Sequence, residues 1–268
     1  MTERRDKNGL TEKEFLGKYT DTQYDKPSVT TDILVLGVDE SFASMKALLI
    51  KRDEHPFLGF YALPGGFIRK DETAYQAAAR KLYEDAGVKD VYLDQIYTFT
   101  RPGRDPRTWV MSIAYLALVG NVSDIKTTGE WFDFEFEDDK IRLYNEESGT
   151  EIIYPISIGR FKNGRIEYEN RVASDKVKGE KLAFDHVEII IESIMKLRTF
   201  FENSDLAFNM VGDTFTLPDL QALYELVLGK KLYKTNFRAL VAPKIEATGE
   251  KIKSRTSNKM SAEYRYIG

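Results

Sequence analysis

The segment from Gly66 to Val88, GFIRKDETAYQAAARKLYEDAGV, constrains the fold of this chain more than any other stretch of its sequence. Small and apolar residues recur within it at spacings of three and four, which predicts an amphipathic helix that opens near Asp71 and ends at Gly87. The predicted apolar face consists of Ala74, Ala77, Ala78, Leu82 and Ala86. The preceding loop, His55–Phe67, is rich in proline and glycine and is expected to contain no regular element.

Runs of β-branched and apolar residues on both sides of this helix predict strands, and a second helical pattern predicts another helix. The predicted strands are Thr30–Val38, Met45–Lys51, Val91–Thr100 and Trp109–Val119, and the second helix is Leu182–Phe201, with Phe184 in its apolar stripe. Short alternating pieces over about residues 132–180, acidic at the start, predict added β-hairpins with a turn at Asn163 and Gly164. The pattern therefore indicates an α+β fold with a β-rich insertion.

Composition excludes several kinds of site. The chain has 268 residues and no cysteine, which excludes disulfides, thiolate zinc centres and cysteine nucleophiles. Two histidines, His55 and His186, are too few for a histidine-built metal centre. Both are interpreted as structural, with a dimer contact as the alternative for His55. No apolar run approaches the ~18 residues of a membrane span, and the polar N-terminus does not resemble a secretory signal. We therefore expect a cytoplasmic protein that has no membrane contact.

Charge is distributed unevenly along the chain. The net charge is −4, yet the segment from Gly229 to Gly268 has ten lysines and arginines against three glutamates. A basic end attached to an acidic body indicates a polyanionic partner, because such a patch attracts phosphate groups. A solvated lysine-rich tail would have the same composition, so charge alone leaves both interpretations open.

The last part of the chain, residues 204–268, has the pattern of a winged helix-turn-helix. The run TLPD that begins at Thr216 predicts a helix start, and Gly229 predicts the end of that helix. A second helix follows over Lys234–Val241, and Gly249 introduces a hairpin whose tip is basic. Helix, turn, helix and basic hairpin in this order predict a domain that binds double-stranded DNA.

Two sets of DNA contacts are predicted in this domain. Polar and basic residues at the start of the second helix reach base edges and phosphates, while Phe237 and Leu240 pack inward. These helix residues are Lys234, Thr235, Asn236 and Arg238. The hairpin contacts phosphates through Lys251, Lys253, Arg255 and Lys259. A winged helix used only for protein contacts or dimerisation is the alternative.

The segment that predicts the first helix also resembles the Nudix box, G-x5-E-x7-R-E-U-x-E-E-x-G-U, in which U is a bulky aliphatic residue. Seven of its nine defined positions match: Gly66, Glu72, Arg80, Leu82, Glu84, Gly87 and Val88. The resemblance implies a Nudix α/β/α sandwich, here with the β-rich insertion. It departs from the family at two positions, where Asp85 and Lys81 stand in place of glutamates.

The resemblance also implies roles for the box residues. In the family, the carbonyl at the position of Gly65 and acids that include those of Glu84 and Asp85 hold Mg²⁺ or Mn²⁺ and activate water. Glu84 and Asp85 are therefore the catalytic residues if the chain is active, and Glu72 and Arg80 form the structural pair. Because the Lys81 ammonium repels a cation, we expect Mg²⁺ or Mn²⁺ to bind weakly. Alternatively, Lys81 points into solvent and another acid substitutes.

A set of basic residues is predicted to bind ligand phosphates, since arginine forks suit a diphosphate. The loop PGRDPR is expected to present three guanidinium groups on a stiff turn. The predicted ligand residues are Arg52, Gly66, Lys81, Arg101, Arg104 and Arg107. A local Arg104–Asp105 pair, with the other arginines as surface charges, is the alternative. Tyr115 and Phe99 are interpreted as core residues.

A second resemblance, to the Nudix-related transcriptional regulators, runs through the stretches His55–Phe67, Pro102–Arg107 and Ala183–His186 and the winged helix pattern. It implies an N-terminal arm over 1–29, a Nudix domain over 30–203 and a winged helix domain over 204–268. It further implies a homodimer that senses ADP-ribose or a related nucleotide or sugar ligand. A magnesium-dependent hydrolase of ADP-ribose or another nucleoside diphosphate derivative is the competing hypothesis. A slow hydrolase that resets its own sensor would combine the two.

Overall fold

The computed structural model describes residues 4–20, 22 and 24–268. A short helix, α1 (Glu12–Lys18), lies within the predicted N-terminal arm, for which no helix was predicted. Thr11 caps it by accepting a hydrogen bond from the Glu14 backbone, and the Glu14 carboxylate accepts one from the Thr11 backbone in return. This reciprocal cap explains why a polar segment forms a helix with no buried residue of its own.

The first domain contains eleven strands and two further helices. The strands are β1 (Ser28–Val38), β2 (Met45–Lys51), β3 (Tyr61–Ala62), β4 (Gly65–Phe67), β5 (Tyr92–Phe99), β6 (Val110–Asn121), β7 (Glu130–Phe136), β8 (Lys140–Asn145), β9 (Thr150–Asn163), β10 (Ile166–Ala173) and β11 (Lys178–Gly179). The helices are α2 (Ala74–Ala86) and α3 (His186–Asn203). The main sheet has the order β10-β9-β8-β7-β2-β1-β6-β5, in which only the β1–β6 pair is parallel.

Strand β1 lies between two apolar layers, as a strand does when helices cover both faces of its sheet. Ile33 and Val35 on one face pack in a cluster with Leu82 of α2. Leu34 and Leu36 on the other face belong to the cluster that contains the buried side of α3. The predicted α/β/α sandwich is therefore confirmed.

The predicted insertion extends the main sheet. Strand β7 pairs antiparallel with β2, and β8, β9 and β10 add to its free edge one after another. The turn between β9 and β10 falls at Gly164 and Arg165, where Gly164 has φ +63°, and Asn163 is the last residue of β9. The predicted turn is therefore present one residue later, but the continuity of these strands with the central sheet was not predicted.

Three local predictions were wrong. The glycine- and proline-rich loop contains β3 and β4, and β4 pairs with β1 at Asp32↔Gly65. Phe184 is not helical, because its φ is +52° and α3 begins only at His186. The final hairpin begins at Ile245 and runs through Gly249, so that glycine does not introduce it.

The second domain has the predicted order of elements. It consists of β12 (Thr214–Thr216), α4 (Leu217–Leu228), α5 (Lys234–Val241), β13 (Ile245–Lys253) and β14 (Met260–Tyr266). The Thr216 hydroxyl caps α4, and Gly229 ends it in the left-handed conformation at φ +67°. The sheet order β12-β14-β13 completes a winged helix-turn-helix. Buried side chains of α4 and α5 join those of α3 in one apolar cluster, which connects the two domains.

Within the described part of the chain, no helix combines the length and the apolar character that crossing a membrane would require.

Candidate functional site

The Nudix-box helix, α2, is held at both ends by its own sequence. Thr73 and Gln76 form a reciprocal capping box at its start, and Gly87 ends it at φ +70°. The helix therefore begins three residues later than the predicted start near Asp71. Since positions three and four apart share a helix face, Lys81, Glu84 and Asp85 lie together.

Arg80 and Glu72 form the ion pair that the family resemblance implied. Arg80 Nε lies 2.9 Å from Glu72 Oε2, and its terminal nitrogen lies 2.5 Å from Oε1. These hydrogen bonds lower the pKa of the Glu72 carboxyl to about 2. Arg80 also donates to the Phe67 carbonyl at 3.2 Å and to Glu84 Oε2 at 3.0 Å. This pair braces the glycine loop against the helix.

Lys81 lies between the two acids that remain of the family's metal cluster. Its ammonium is in contact with the Asp85 carboxylate and lies 3.6 Å from Glu84 Oε2. The side chains of Lys81 and Asp85 are only 19% and 16% exposed. The alternative in which Lys81 points into solvent is therefore excluded.

The arrangement around Lys81 does not suit a divalent cation. Asp85 Oδ1 is in contact with the ammonium, and Oδ2 accepts a hydrogen bond from the Gly65 backbone at 3.1 Å. Glu84 is shared among Arg80, Lys81 and Arg69, the last at 3.6 Å. Among the residues that the structure describes, no three His, Cys, Asp or Glu side chains gather as a metal centre. Lys81, together with Arg80 and Arg69, already neutralises the two acids, so these residues do not fit Mg²⁺ or Mn²⁺ as the family binds them.

Gly66 allows the Lys81 side chain to pass against the loop. A Cβ atom at Gly66 would lie 2.8 Å from Lys81 Cε and 3.1 Å from Cδ, closer than normal packing permits. The absence of a side chain here therefore helps to set the path of the lysine toward the acids.

Arg104 does not belong to an exposed arginine turn, contrary to prediction. Its side chain is 4% exposed and donates to both oxygens of Asp185, at 2.9 Å from Nε and 2.6 Å from a terminal nitrogen. Asp32 lies 3.5 Å away on the other side. The local pair with Asp105 does not form either, because Asp105 pairs with Arg107 at 3.0 and 2.6 Å.

Asp32 and His186 complete this buried polar network. Asp32 accepts a hydrogen bond from the Ser112 hydroxyl at 2.5 Å and lies 3.6 Å from His186 Nε2. His186 Nδ1 accepts from the Leu63 backbone at 2.9 Å, which agrees with its interpretation as structural. Burial lowers the pKa of His186, so the ring is neutral at pH 7. Asp32 and Asp185 were not predicted as site residues, although an acid inside an apolar strand, as Asp32 is, indicates a buried charge that needs a partner.

Two of the predicted ligand arginines meet at an aromatic ring. The guanidinium carbons of Arg52 and Arg107 lie 5.0 and 5.7 Å from the centre of the Phe184 ring, and Arg107 also lies 5.1 Å from Phe67. Burial, followed by repulsion from Arg107, lowers the pKa of Arg52. Arg101 lies farther out, 60% exposed, and pairs with Glu188 at 3.2 Å. Cationic forks beside aromatic faces suit a ligand that has both phosphates and a flat ring.

The aromatic residues assigned to the core are buried. Tyr115 is 4% exposed and Phe99 is 8% exposed. Both belong to the apolar clusters that flank the sheet, which confirms their assignment as core residues.

The predicted DNA contacts lie on an exposed basic face of the winged helix domain. The exposed residues are Lys234, Thr235, Asn236, Arg238, Lys251, Lys253, Arg255 and Lys259. Phe237 packs inward as predicted, at 2% exposure, but Leu240 is 41% exposed, so its inward prediction was wrong. The Arg255 guanidinium carbon lies 5.5 Å from the centre of the Phe42 ring in the first domain.

Two family models match the chain in the order of its domains. The NUDIX domain model matches residues 26–148, and the model of the NrtR DNA-binding winged helix domain matches residues 207–266. This chain is a Nudix-domain protein with an NrtR-type winged helix domain. The predicted family and the predicted fold are both confirmed.

The similar proteins match this chain over most of its length. The ADPR responsive transcriptional repressor NtrR of Acinetobacter baylyi is 28% identical over 233 residues, which cover 86% of this Nudix-domain chain and 78% of the repressor. A crystal structure of a MutT/nudix family protein from Enterococcus faecalis matches with a TM-score of 0.74 and 27% identity, over 96% and 94% of the two chains. Shewanella oneidensis NrtR complexed with a 27mer DNA matches with a TM-score of 0.62 and 26% identity, over 89% and 93%.

Proposed function

We propose that this protein is a ligand-sensing transcriptional regulator. Its Nudix domain binds ADP-ribose or a related nucleotide or sugar metabolite, and its winged helix domain binds double-stranded DNA. The observation that carries the proposal is the position of Lys81, whose ammonium lies between Glu84 and Asp85 where a hydrolase of this family needs a metal ion. A domain that holds cationic side chains beside this helix, and whose remaining acids already pair with Lys81, is suited to binding a phosphate-containing ligand without turnover.

Lys81 also supplies a mode of ligand binding. An ammonium next to the glycine loop can contact a pyrophosphate directly, and it needs no divalent cation to do so. Arg52 and Arg107 add two guanidinium groups, whose carbons lie 5.0 and 5.7 Å from the centre of the Phe184 ring. The buried Arg104 positions the loop that carries Arg107 through its bonds to Asp185. The similarity to an ADP-ribose responsive repressor supports ADP-ribose as the first ligand to test.

The exposed basic face of the winged helix domain supports the DNA-binding half of the proposal. Lys234 and Arg238 lie on the helix that would enter the major groove, and Lys251 and Lys253 lie on the adjacent hairpin. The similarity to a regulator crystallised with DNA favours this over a winged helix used only for protein contacts. We infer a homodimer, because paired DNA half-sites require two winged helices. We also infer a cytoplasmic location, because a bacterial-type regulator meets its DNA there.

A hydrolase is the second candidate, because the Nudix box still has acids at Glu84 and Asp85. Activity would require Lys81 to leave its two partners and a metal ion to replace it. A slow hydrolase that resets its own sensor belongs to the same alternative.

The first expected result is that ADP-ribose binds to the protein and is not hydrolysed. Protein at stoichiometric concentration, incubated with ADP-ribose with Mg²⁺ or with a chelator, should retain intact nucleotide to the same extent in both. Replacing Arg52 and Arg107 together by methionine should weaken binding at least about tenfold, since two charge-assisted hydrogen-bond donors to the ligand are removed. Arg160→Met, on the exposed β9–β10 hairpin, is the control. AMP formed over several turnovers would favour the hydrolase, and intact nucleotide without binding would contradict the proposed ligand.

The second expected result is a steep salt dependence of DNA binding. If the six predicted basic side chains each neutralise one phosphate, the log–log slope should be about −5.4, and replacing Lys251 and Lys253 by glutamine should reduce its magnitude by about 2. Binding to duplexes from the region upstream of the gene can be followed by fluorescence anisotropy. Lys89→Gln, an exposed change in the Nudix domain, should leave the slope unchanged. A flat salt response of the unaltered protein would exclude the basic face as its DNA contact.

A further inference from the structure

The turn that closes the β13–β14 hairpin, residues 254–259, is fastened to the body of the winged helix domain at one point. We call this segment the wing turn. Ser254 at its start is fully buried, whereas its neighbours Lys253 and Arg255 are exposed. The Ser254 backbone donates to the Lys259 carbonyl at 2.9 Å, and the Asn258 backbone donates to the Ser254 carbonyl at 2.9 Å. These bonds shape the turn, but they do not attach it to the helices.

The attachment is made by Asp219, in the first turn of α4, whose residue is 2% exposed. Its Oδ1 accepts hydrogen bonds from the Ser254 hydroxyl at 2.8 Å and from the backbone and hydroxyl of Thr256, both at 3.0 Å. Its Oδ2 accepts one from the Thr216 hydroxyl at 2.8 Å. One buried carboxylate therefore joins the helix start to the wing turn through three hydrogen bonds, and a fourth, from Thr216, holds the carboxylate at the helix start.

This carboxylate has no cationic partner among the described residues. Burial raises the pKa of Asp219, but the hydrogen bonds from Thr256, Thr216 and Ser254 outweigh burial and lower it overall. The domain therefore keeps a negative charge close to the basic residues that would approach DNA. By charge alone, that placement weakens attraction to a polyanion.

We propose that Asp219 is a positioning residue for DNA binding. It holds the wing turn against the first turn of α4, so that Lys253 and Arg255 stay where they can meet phosphates. The β13 strand contributes little packing of its own, because most of its residues are exposed. Without the bonds to Asp219 the wing turn loses its hydrogen bonds to α4 and keeps the contact of Arg255 with Phe42. It becomes more mobile, and Lys253 and Arg255 must then be ordered at the moment of binding. This inference rests on the proposed DNA-binding function.

The test compares two variants of Asp residues, because loss of a negative charge and loss of the wing attachment change DNA affinity in opposite directions. Asp219→Asn and Asp213→Asn remove the same charge from the same domain, but Asp213 is exposed and lies outside the wing attachment. Electrostatics alone predicts equal or tighter DNA binding for both variants. The positioning role predicts that Asp219→Asn binds at least about tenfold more weakly. It also predicts a salt slope shallower by about 2, since Lys253 and Arg255 then no longer neutralise two phosphates.

A second pair of variants keeps the charge of Asp219. Ser254→Ala and Thr256→Val each remove one hydroxyl donor to Asp219. Each should weaken DNA binding several-fold and make the salt slope of DNA binding shallower, as Asp219→Asn does. ADP-ribose binding by the Nudix domain should stay unchanged in all four variants. If Asp219→Asn fails to fold, the two hydroxyl variants decide the matter.

The outcomes separate this inference from the proposed function. If the wild-type protein binds DNA, and Asp219→Asn and both hydroxyl variants bind it with the same affinity and salt slope, the positioning role is overturned and the regulator proposal stands. Absence of DNA binding by the wild-type protein would instead refute the function on which the inference depends. Weakened binding with an unchanged salt slope would also overturn it, because Lys253 and Arg255 would then still neutralise the same phosphates.

Discussion

Replacing Lys81 by glutamate should create a divalent metal site in this protein. The change removes an ammonium that touches Asp85 and adds a third carboxylate beside Glu84. Two unit charges about 4 Å apart near a protein surface interact by about 4 kcal/mol. We therefore expect Mg²⁺ or Mn²⁺ to bind at least about a hundredfold more tightly than to the wild-type protein, as measured by calorimetry at fixed ionic strength. Hydrolysis of ADP-ribose should rise with it.

Two further variants serve as controls for the Lys81→Glu prediction. Lys70→Glu makes the same charge reversal at an exposed position in the loop before α2 and should change metal affinity little. Lys81→Met removes the cation without adding a carboxylate and should give an intermediate affinity. In the absence of metal, Lys81→Glu should also lower the melting temperature, because three carboxylates then repel one another, and Mg²⁺ should restore it. Unchanged metal affinity in Lys81→Glu would show that Lys81 does not lie between the acids in solution.

Replacing Arg104 by methionine should cost about 3–5 kcal/mol of unfolding free energy, which is the usual cost of leaving buried charges without their partner. The side chains of Arg104 and Asp185 are 4% and 2% exposed, so water cannot compensate Asp185 after the change. Asp32 would keep its bond from the Ser112 hydroxyl but lose its nearest cation. Equilibrium unfolding in urea measures the loss.

The neighbouring arginine supplies the control for this experiment. Arg101 is 60% exposed and pairs with Glu188 at 3.2 Å, so Arg101→Met should cost less than about 1 kcal/mol. Combining Arg104→Met with Asp185→Asn should recover part of the lost stability, since one of the two uncompensated acids is then neutral. If the unfolding free energy of Arg104→Met lies within about 1 kcal/mol of the wild-type value, the buried network does not form in solution.

Several predictions from the sequence depended on residues near one another along the chain, and these were accurate. The spacing of small residues predicted α2, Thr216 and Gly229 predicted the ends of α4, and the bounds of α5 agree with the predicted Lys234–Val241. Capping bonds and helical faces involve partners three or four positions apart. The contact of Lys81 with Asp85 is of the same kind, since four positions separate them.

The predictions that failed concern residues whose surroundings come from distant segments. Leu240 looked like an inward residue from its place on the helix, yet nothing from another segment covers it, and it is 41% exposed. The insertion was predicted as separate hairpins because the sequence does not show that β7 pairs with β2, more than 80 positions earlier. The Asp219 attachment was missed for the same reason, since Thr256 lies 37 positions away.

The sequence by itself determined α4 and α5 with their ends, the C-terminal end of α2, the basic face of the second domain and the loss of an acid from the metal cluster. Only the tertiary structure decided which arginines could meet a ligand. Arg101, Arg104 and Arg107 are alike in a loop of seven residues, yet Arg104 alone is buried, because Asp32 and Asp185 reach it from 72 and 81 positions away. A buried charge requires a partner, and the fold alone determines which partners are within reach.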